Sequence, residues 1–240
     1  MKRGLMVLLV ALLAAGTAVA QTRPPKRPAA KPATKTAKPA PRPAPPHRVA
    51  GPANVACPQV LGTGVGSKLQ FCDVVTGRNP AEGVIIRLPP HKGPLTLTLD
   101  LHNRHTYSEE MVKAGKAYAN YTATIGALTP DGRLLARGIV RSEFRAGRDL
   151  LDRIGGGAGP RGVKAIAPVG TERISIDVPE DVNEVSLLGE KLTVLTLNGT
   201  ETFTAAQRPI AAVSNINIDY EPGPKPPAKP AAKTSAKKKK

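Results

Sequence analysis

Between Leu95 and His102 the chain reads Leu-Thr-Leu-Thr-Leu-Asp-Leu-His, with leucine at every odd position and a polar residue at every even one. In an extended strand this period of two puts all four leucines on one face and the polar residues on the other, whereas a helix would spread the leucines around its axis. A strand buried on one side and wet on the other belongs to an antiparallel sheet that covers a core. The same alternation recurs in Arg173-Ile174-Ser175-Ile176-Asp177-Val178 and from Lys191 to Leu197. Further strands are expected at Phe71 to Val75, Val84 to Leu88, Tyr121 to Leu128, Leu134 to Phe144, Thr200 to Thr204 and Ile210 to Tyr220. Turn residues separate them: Pro130-Asp131-Gly132 marks a hairpin between two of these strands and Asn198-Gly199 marks another.

Helical patterns do not alternate with the strands, which argues against a parallel α/β fold. The expected class is all-β, an antiparallel sandwich of jelly-roll-like architecture with one or two short helices in its loops and disordered termini. One such helix is expected after Thr106, which has capping-box spacing to Glu109, with Tyr107, Met111, Ala114 and Tyr118 at helical intervals. A second would span one or two turns within residues 146–154 and stop at Gly155. The glycine-rich run Gly155 to Pro160 then predicts a mobile loop and a candidate binding rim.

Export is the second inference. Lys2 and Arg3, an apolar run from Leu5 to Ala15, and Ala18-Val19-Ala20 before Gln21 have the order of a cleavable secretory signal. The apolar run is about half the ~20 residues that a membrane-crossing helix needs. The expected organisation is a signal peptide over 1–20, a basic spacer over 21–50, a sandwich domain over 51–222 and a basic tail over 223–240. In an exported chain two cysteines are read as a bridge, so Cys57 and Cys72 are expected to pair. Closing a loop of this size contributes about 3 kcal/mol.

The formal charge of +17 invites a nucleic-acid reading until it is located. Residues 51–222 contain all 18 acids and an equal number of bases, so the domain is neutral. The excess lies in flanks built from Pro, Ala, Lys, Arg and Thr, which offer too little to bury to offset the entropy of ordering. Their prolines favour an extended spacer. Lys26, Arg27, Lys31, Lys35, Lys38 and Lys237, Lys238, Lys239 and Lys240 are the residues expected to contact a polyanion. The partners implied are an anionic cell-surface polymer or lipid head groups, with peripheral membrane contact at most and no specific nucleic acid.

Within the domain, Asp100, His102 and His105 with Glu109 are the densest set of ligand-type residues. Asp100 and His102 share a strand face, and His105 could fold back from a turn to complete a three-ligand site. The carboxylate pairs Glu109-Glu110, Asp149 with Asp152, and Glu180-Asp181 are read as solvated charge. Gly157-x-Gly159-x-x-Gly162 matches a dinucleotide fingerprint in letters but lacks the strand before it and the helix after it. Tyr107, Tyr118 and Tyr121 could form a small aromatic platform, although core packing is the expected use of their rings. No cofactor is implied. These features point to an exported, non-enzymatic, envelope-associated binding or structural module, and the alternative is a metal-assisted hydrolase using Asp100, His102 and His105.

Overall fold

The computed structural model describes residues 47–154 and 165–224. Among them are twelve strands: β1 (Val49–Pro52), β2 (Asn54–Ala56), β3 (Val60–Thr63), β4 (Gln70–Val75), β5 (Val84–Arg87), β6 (His91–Tyr107), β7 (Ala119–Leu128), β8 (Leu134–Phe144), β9 (Ala165–Val178), β10 (Glu184–Thr196), β11 (Gly199–Phe203) and β12 (Pro209–Pro222). One short helix, α1 (Glu109–Lys113), lies between β6 and β7. One sheet runs β3-β4-β12-β6-β9, with β1 also on β12, and the other runs β2-β5-β10-β7-β8, with β11 also on β10.

Setting aside the short edge strands, the chain pairs β4 with β12, β5 with β10, β6 with β9 and β7 with β8, each antiparallel. First thus pairs with last, second with seventh, third with sixth and fourth with fifth. That nesting is a long hairpin ribbon wrapped into two sheets, which is the jelly-roll arrangement. The expected all-β sandwich is therefore the fold.

The alternation that identified β6 places its leucines as predicted: Leu95, Leu97, Leu99 and Leu101 are completely buried. They meet Val74, Ile86, Ile125, Val185, Leu187 and Ile210 in one core between the sheets. Each buried leucine contributes about 1.5–3 kcal/mol. The β7–β8 hairpin closes where Gly132 takes φ +86° and the Thr129 hydroxyl accepts from the Arg133 amide at 3.0 Å. Thr196 pairs with Gly199 across the two-residue β10–β11 turn, as Asn198-Gly199 predicted. Cys57 and Cys72 form the expected disulfide, with Cα atoms 5.7 Å apart, tying the segment before β3 to β4.

Several boundaries differ from the sequence reading. β6 continues to Tyr107, because Asn103 to Tyr107 stay paired with Val169 to Ala165 of β9. Thr106 is therefore held in a strand and caps nothing. The cap moves to Ser108, whose hydroxyl accepts from the Met111 amide at 3.4 Å, and α1 is short, with Gly115 at φ +67° two residues after its end. Within 146–154 only Gly147–Asp149 makes a 3-10 turn. Leu150 is drawn into a bridge with Val169, and the Leu151 amide donates to the Pro168 carbonyl at 3.0 Å. The glycine run after Ile154, its fingerprint letters, and the residues of both flanks expected to contact a polyanion lie outside the described residues. No helix among the described residues is long and apolar enough to cross a membrane.

Candidate functional site

Because side chains alternate along a strand, Asp100 and His102 leave one face of β6 while Leu101, Asn103 and His105 leave the other. The three residues proposed to share an ion are thereby split between two faces, and each is occupied elsewhere. Among the described residues no group of three or more His, Cys, Asp or Glu side chains is placed to hold a metal ion.

Asp100 accepts two hydrogen bonds from Arg173, at 2.8 and 3.0 Å, and a third from the Asn215 side chain at 2.9 Å. Burial pushes its carboxyl up, but these hydrogen bonds and the guanidinium charge outweigh burial and hold it below the usual range.

His102 is 1% exposed. Its Nδ1 lies 2.7 Å from the Gly170 carbonyl and its Nε2 lies 2.9 Å from Ser214 Oγ. Burial lowers its basicity, against the hydrogen bond to Gly170 and the charge of Asp100, so the ring is neutral at neutral pH. A carbonyl only accepts, so Nδ1 carries the proton and donates to Gly170. Nε2 therefore accepts from the Ser214 hydroxyl. The arrangement resembles a serine with its general base; Ser214 is 2% exposed, in the wall of a cavity of about 490 Å³ that Val55, Val60 and Ile216 also line. The pair ties β9, β6 and β12 together. Gly170 is part of the device: it sits at φ +69° where β9 has one extra residue opposite β6, and a Cβ there would lie 2.5 Å from Ser142 Cβ.

On the opposite face, His105 stacks on Phe144 with ring centroids 3.6 Å apart. Its Nδ1 is 2.7 Å from the Tyr121 hydroxyl. Burial pushes the imidazole down to about 4 and the Tyr121 phenol up to about 12, so both are neutral. His105 Nε2 and the nearby Asn103 Oδ1 are buried without a hydrogen-bond partner. His105 also lines a cleft of about 570 Å³ between the α1 segment, the start of β7 and the β10–β11 turn. Tyr118 and Tyr121 both line it, and Tyr107 packs against Phe144 beside it. The three tyrosines therefore gather at one end of the sandwich, half-buried, and two of them face one cleft.

The acid pairs do local work. Glu109 meets Lys113 at 2.9 Å. Asp149 accepts from the amides of Arg145 and Ala146, and Asp152 from those of Gly66 and Ser67. Glu180 accepts from the Gly93 amide, and Asp181 lies 3.5 Å from Arg133. A wider cleft of about 810 Å³ beside the β4–β5 crossover carries Glu82 and Glu190. There Glu190 is held by Arg137, and Glu82 by Asn79 and Gln207. The partners Ser214 and Arg173 gave no signal in the sequence, since the pairing of β12 and β9 with β6 brings them in, and Lys116 joins the lining of the His105 cleft through the path of the α1 segment. A signal for the His102 and His105 split was present: continuing the count of two past His102 puts His105 inward.

No family model matches the chain. No curated protein matches it. Among solved structures, the crystal structure of the Agl-KA catalytic domain is similar at 11% identity over 78% of this chain, with a TM-score of 0.28. This chain spans 28% of that one. A likeness of that degree carries no argument about function.

Proposed function

We propose that the protein is an exported, non-enzymatic binding module of the cell envelope, a neutral jelly-roll sandwich that its basic flanks hold against an anionic surface. The observation that carries this reading is the segregation of charge. Every acid lies in 51–222, where bases match acids in number, while 21–50 and 223–240 hold bases alone. A charge distribution of this kind attracts a polyanion to the flanks and leaves the domain free of any strong field. The Cys57–Cys72 disulfide supports the compartment, since such bridges persist in oxidising surroundings, and the signal-like residues 1–20 supply the route.

Expression of the full chain in a secreting host tests the reading. The mature protein should begin at Gln21, sediment with the envelope and be released by raised salt. A chain lacking 21–50 and 223–240 but keeping the signal should remain soluble outside the cytoplasm. Retention in the cytoplasm, or salt-resistant sedimentation of both chains, contradicts the proposal.

A further inference from the structure

We infer that the cleft at the end of β6 binds an acidic saccharide unit, a sugar ring bearing a carboxylate. The inference rests on the reading above, in which the protein works at an anionic surface, and gives the folded domain its own ligand there. The cleft is lined by His105, Ser108, Lys116, Tyr118, Tyr121 and Asn198, with Met111 and Leu197 at its lips. Its volume falls within the range of small-ligand sites.

Three features narrow the ligand. Hydroxyl, amide and neutral imidazole groups from four separate segments converge here, and such groups both donate and accept, as a polyol requires. His105 is a lining residue 5% exposed, and its Nε2 is buried without a hydrogen-bond partner. An orphaned buried polar atom costs about 1–3 kcal/mol, a cost that a ligand reaching it would recover. The lips are apolar: Leu197 is 63% exposed and Met111 41% exposed, and with the edge and the remaining face of Tyr118, whose ring has the Arg145 guanidinium 5.4 Å from its centroid, they offer a surface to the C–H face of a sugar. The charge of the lining comes from Lys116, the one ionised side chain among the lining residues, exposed and in no ion pair among the described residues. A single ammonium among neutral hydrogen-bonding groups suits one carboxylate on a hydroxylated ring. A phosphate or sulfate would call for several cations or clustered amides.

The test uses the mature full chain at about 0.5 M salt, where screening within a few ångströms suppresses attraction by the flanks. The probes are a trisaccharide of hexuronic acid and its neutral hexose counterpart, followed by calorimetry and by amide chemical shifts. The uronate should bind, shifting amides of residues 105–121 and 196–198. Lys116→Gln, an exposed substitution that leaves the fold intact, should weaken it about two- to fivefold, the contribution of one exposed charge pair, to the affinity of the neutral sugar. Tyr118→Ala should weaken both sugars. If neither sugar binds while the flanks still hold the protein on a polyanion at low salt, this inference falls and the flank reading stands. If Lys116→Gln binds uronate as tightly as the parent, or the shifts map elsewhere, the inference also falls. If the sugar binds but flank deletion leaves polyanion adhesion unchanged, the cleft stands and the flank reading falls.

Discussion

Replacing Asp73 by asparagine removes one partner of a buried ion pair, and the fold predicts that the protein gains stability at neutral pH. Asp73 lies on β4, and Arg104 Nε approaches its Oδ1 at 2.9 Å without the alignment of a hydrogen bond. Burial raises the Asp73 carboxyl from its ordinary 3.8 to about 6, against the attraction of Arg104. A raised folded value means that the native state holds the proton more tightly than the unfolded chain. Stability from this group is fully present below 3.8 and lost as pH rises through 6. Two pH units at 1.36 kcal/mol each amount to about 3 kcal/mol. Asparagine resembles the protonated carboxyl, so Asp73→Asn should match the parent at pH 4 and exceed it by about 3 kcal/mol at pH 7. His105 works in the opposite direction: its value is depressed from 6.5 to about 4, so its stability is present above 6.5 and lost as pH falls through 4. In the parent the two slopes offset one another between 4 and 6, and in Asp73→Asn the rise due to His105 stands uncovered. Urea unfolding followed by far-ultraviolet circular dichroism at pH 4, 5, 6 and 7 measures both curves. A variant less stable than the parent at pH 7, or a difference that does not change with pH, would refute the reasoning, because the carboxylate would then be ionised throughout and held by Arg104.

Gly170→Ala combines a left-handed backbone with a contact of 2.5 Å to Ser142 Cβ; together they should cost about 2–5 kcal/mol, read as a lower midpoint in urea. Ser214→Ala should cost about 1–3 kcal/mol by orphaning His102 Nε2, read as a lower midpoint in urea, while leaving sugar and polyanion binding untouched. Reduction, or replacement of Cys57 and Cys72 by serine, should cost about 3 kcal/mol in thermal or urea unfolding without altering the secondary structure seen by circular dichroism.

Much of this fold is written in the chain because one-sided burial imposes a period of two. Leu95 to Leu101 declare the core face of β6, and Pro130-Asp131-Gly132 and Asn198-Gly199 declare their turns, since both signals are local. The second half of β6 was illegible for a physical reason. Asn103 and His105 point inward, where Ser142 and Tyr121 receive them, and polar letters at core positions read as a loop until their partners are known. The edge strands β1 to β3 are short and interrupted by Gly51, Pro52 and Gly62, and they exist because sheet neighbours offer them hydrogen bonds. The candidate cleft shows the same limit. Tyr118 and Tyr121 were conspicuous as a cluster, but Asn198 reaches their cleft because β10 pairs with β7, setting Thr196 opposite Ala119, a long-range pairing that no local pattern encodes.

We propose that the flanks, and not the sandwich, supply the protein's attraction to anionic lipid. Binding of the mature chain, and of the chain lacking 21–50 and 223–240, to vesicles with and without anionic lipid across a salt series tests it directly. Affinity for anionic vesicles should fall steeply with salt in the mature chain and be absent in the shortened one. Equal binding by the two chains, or binding indifferent to salt, would contradict it.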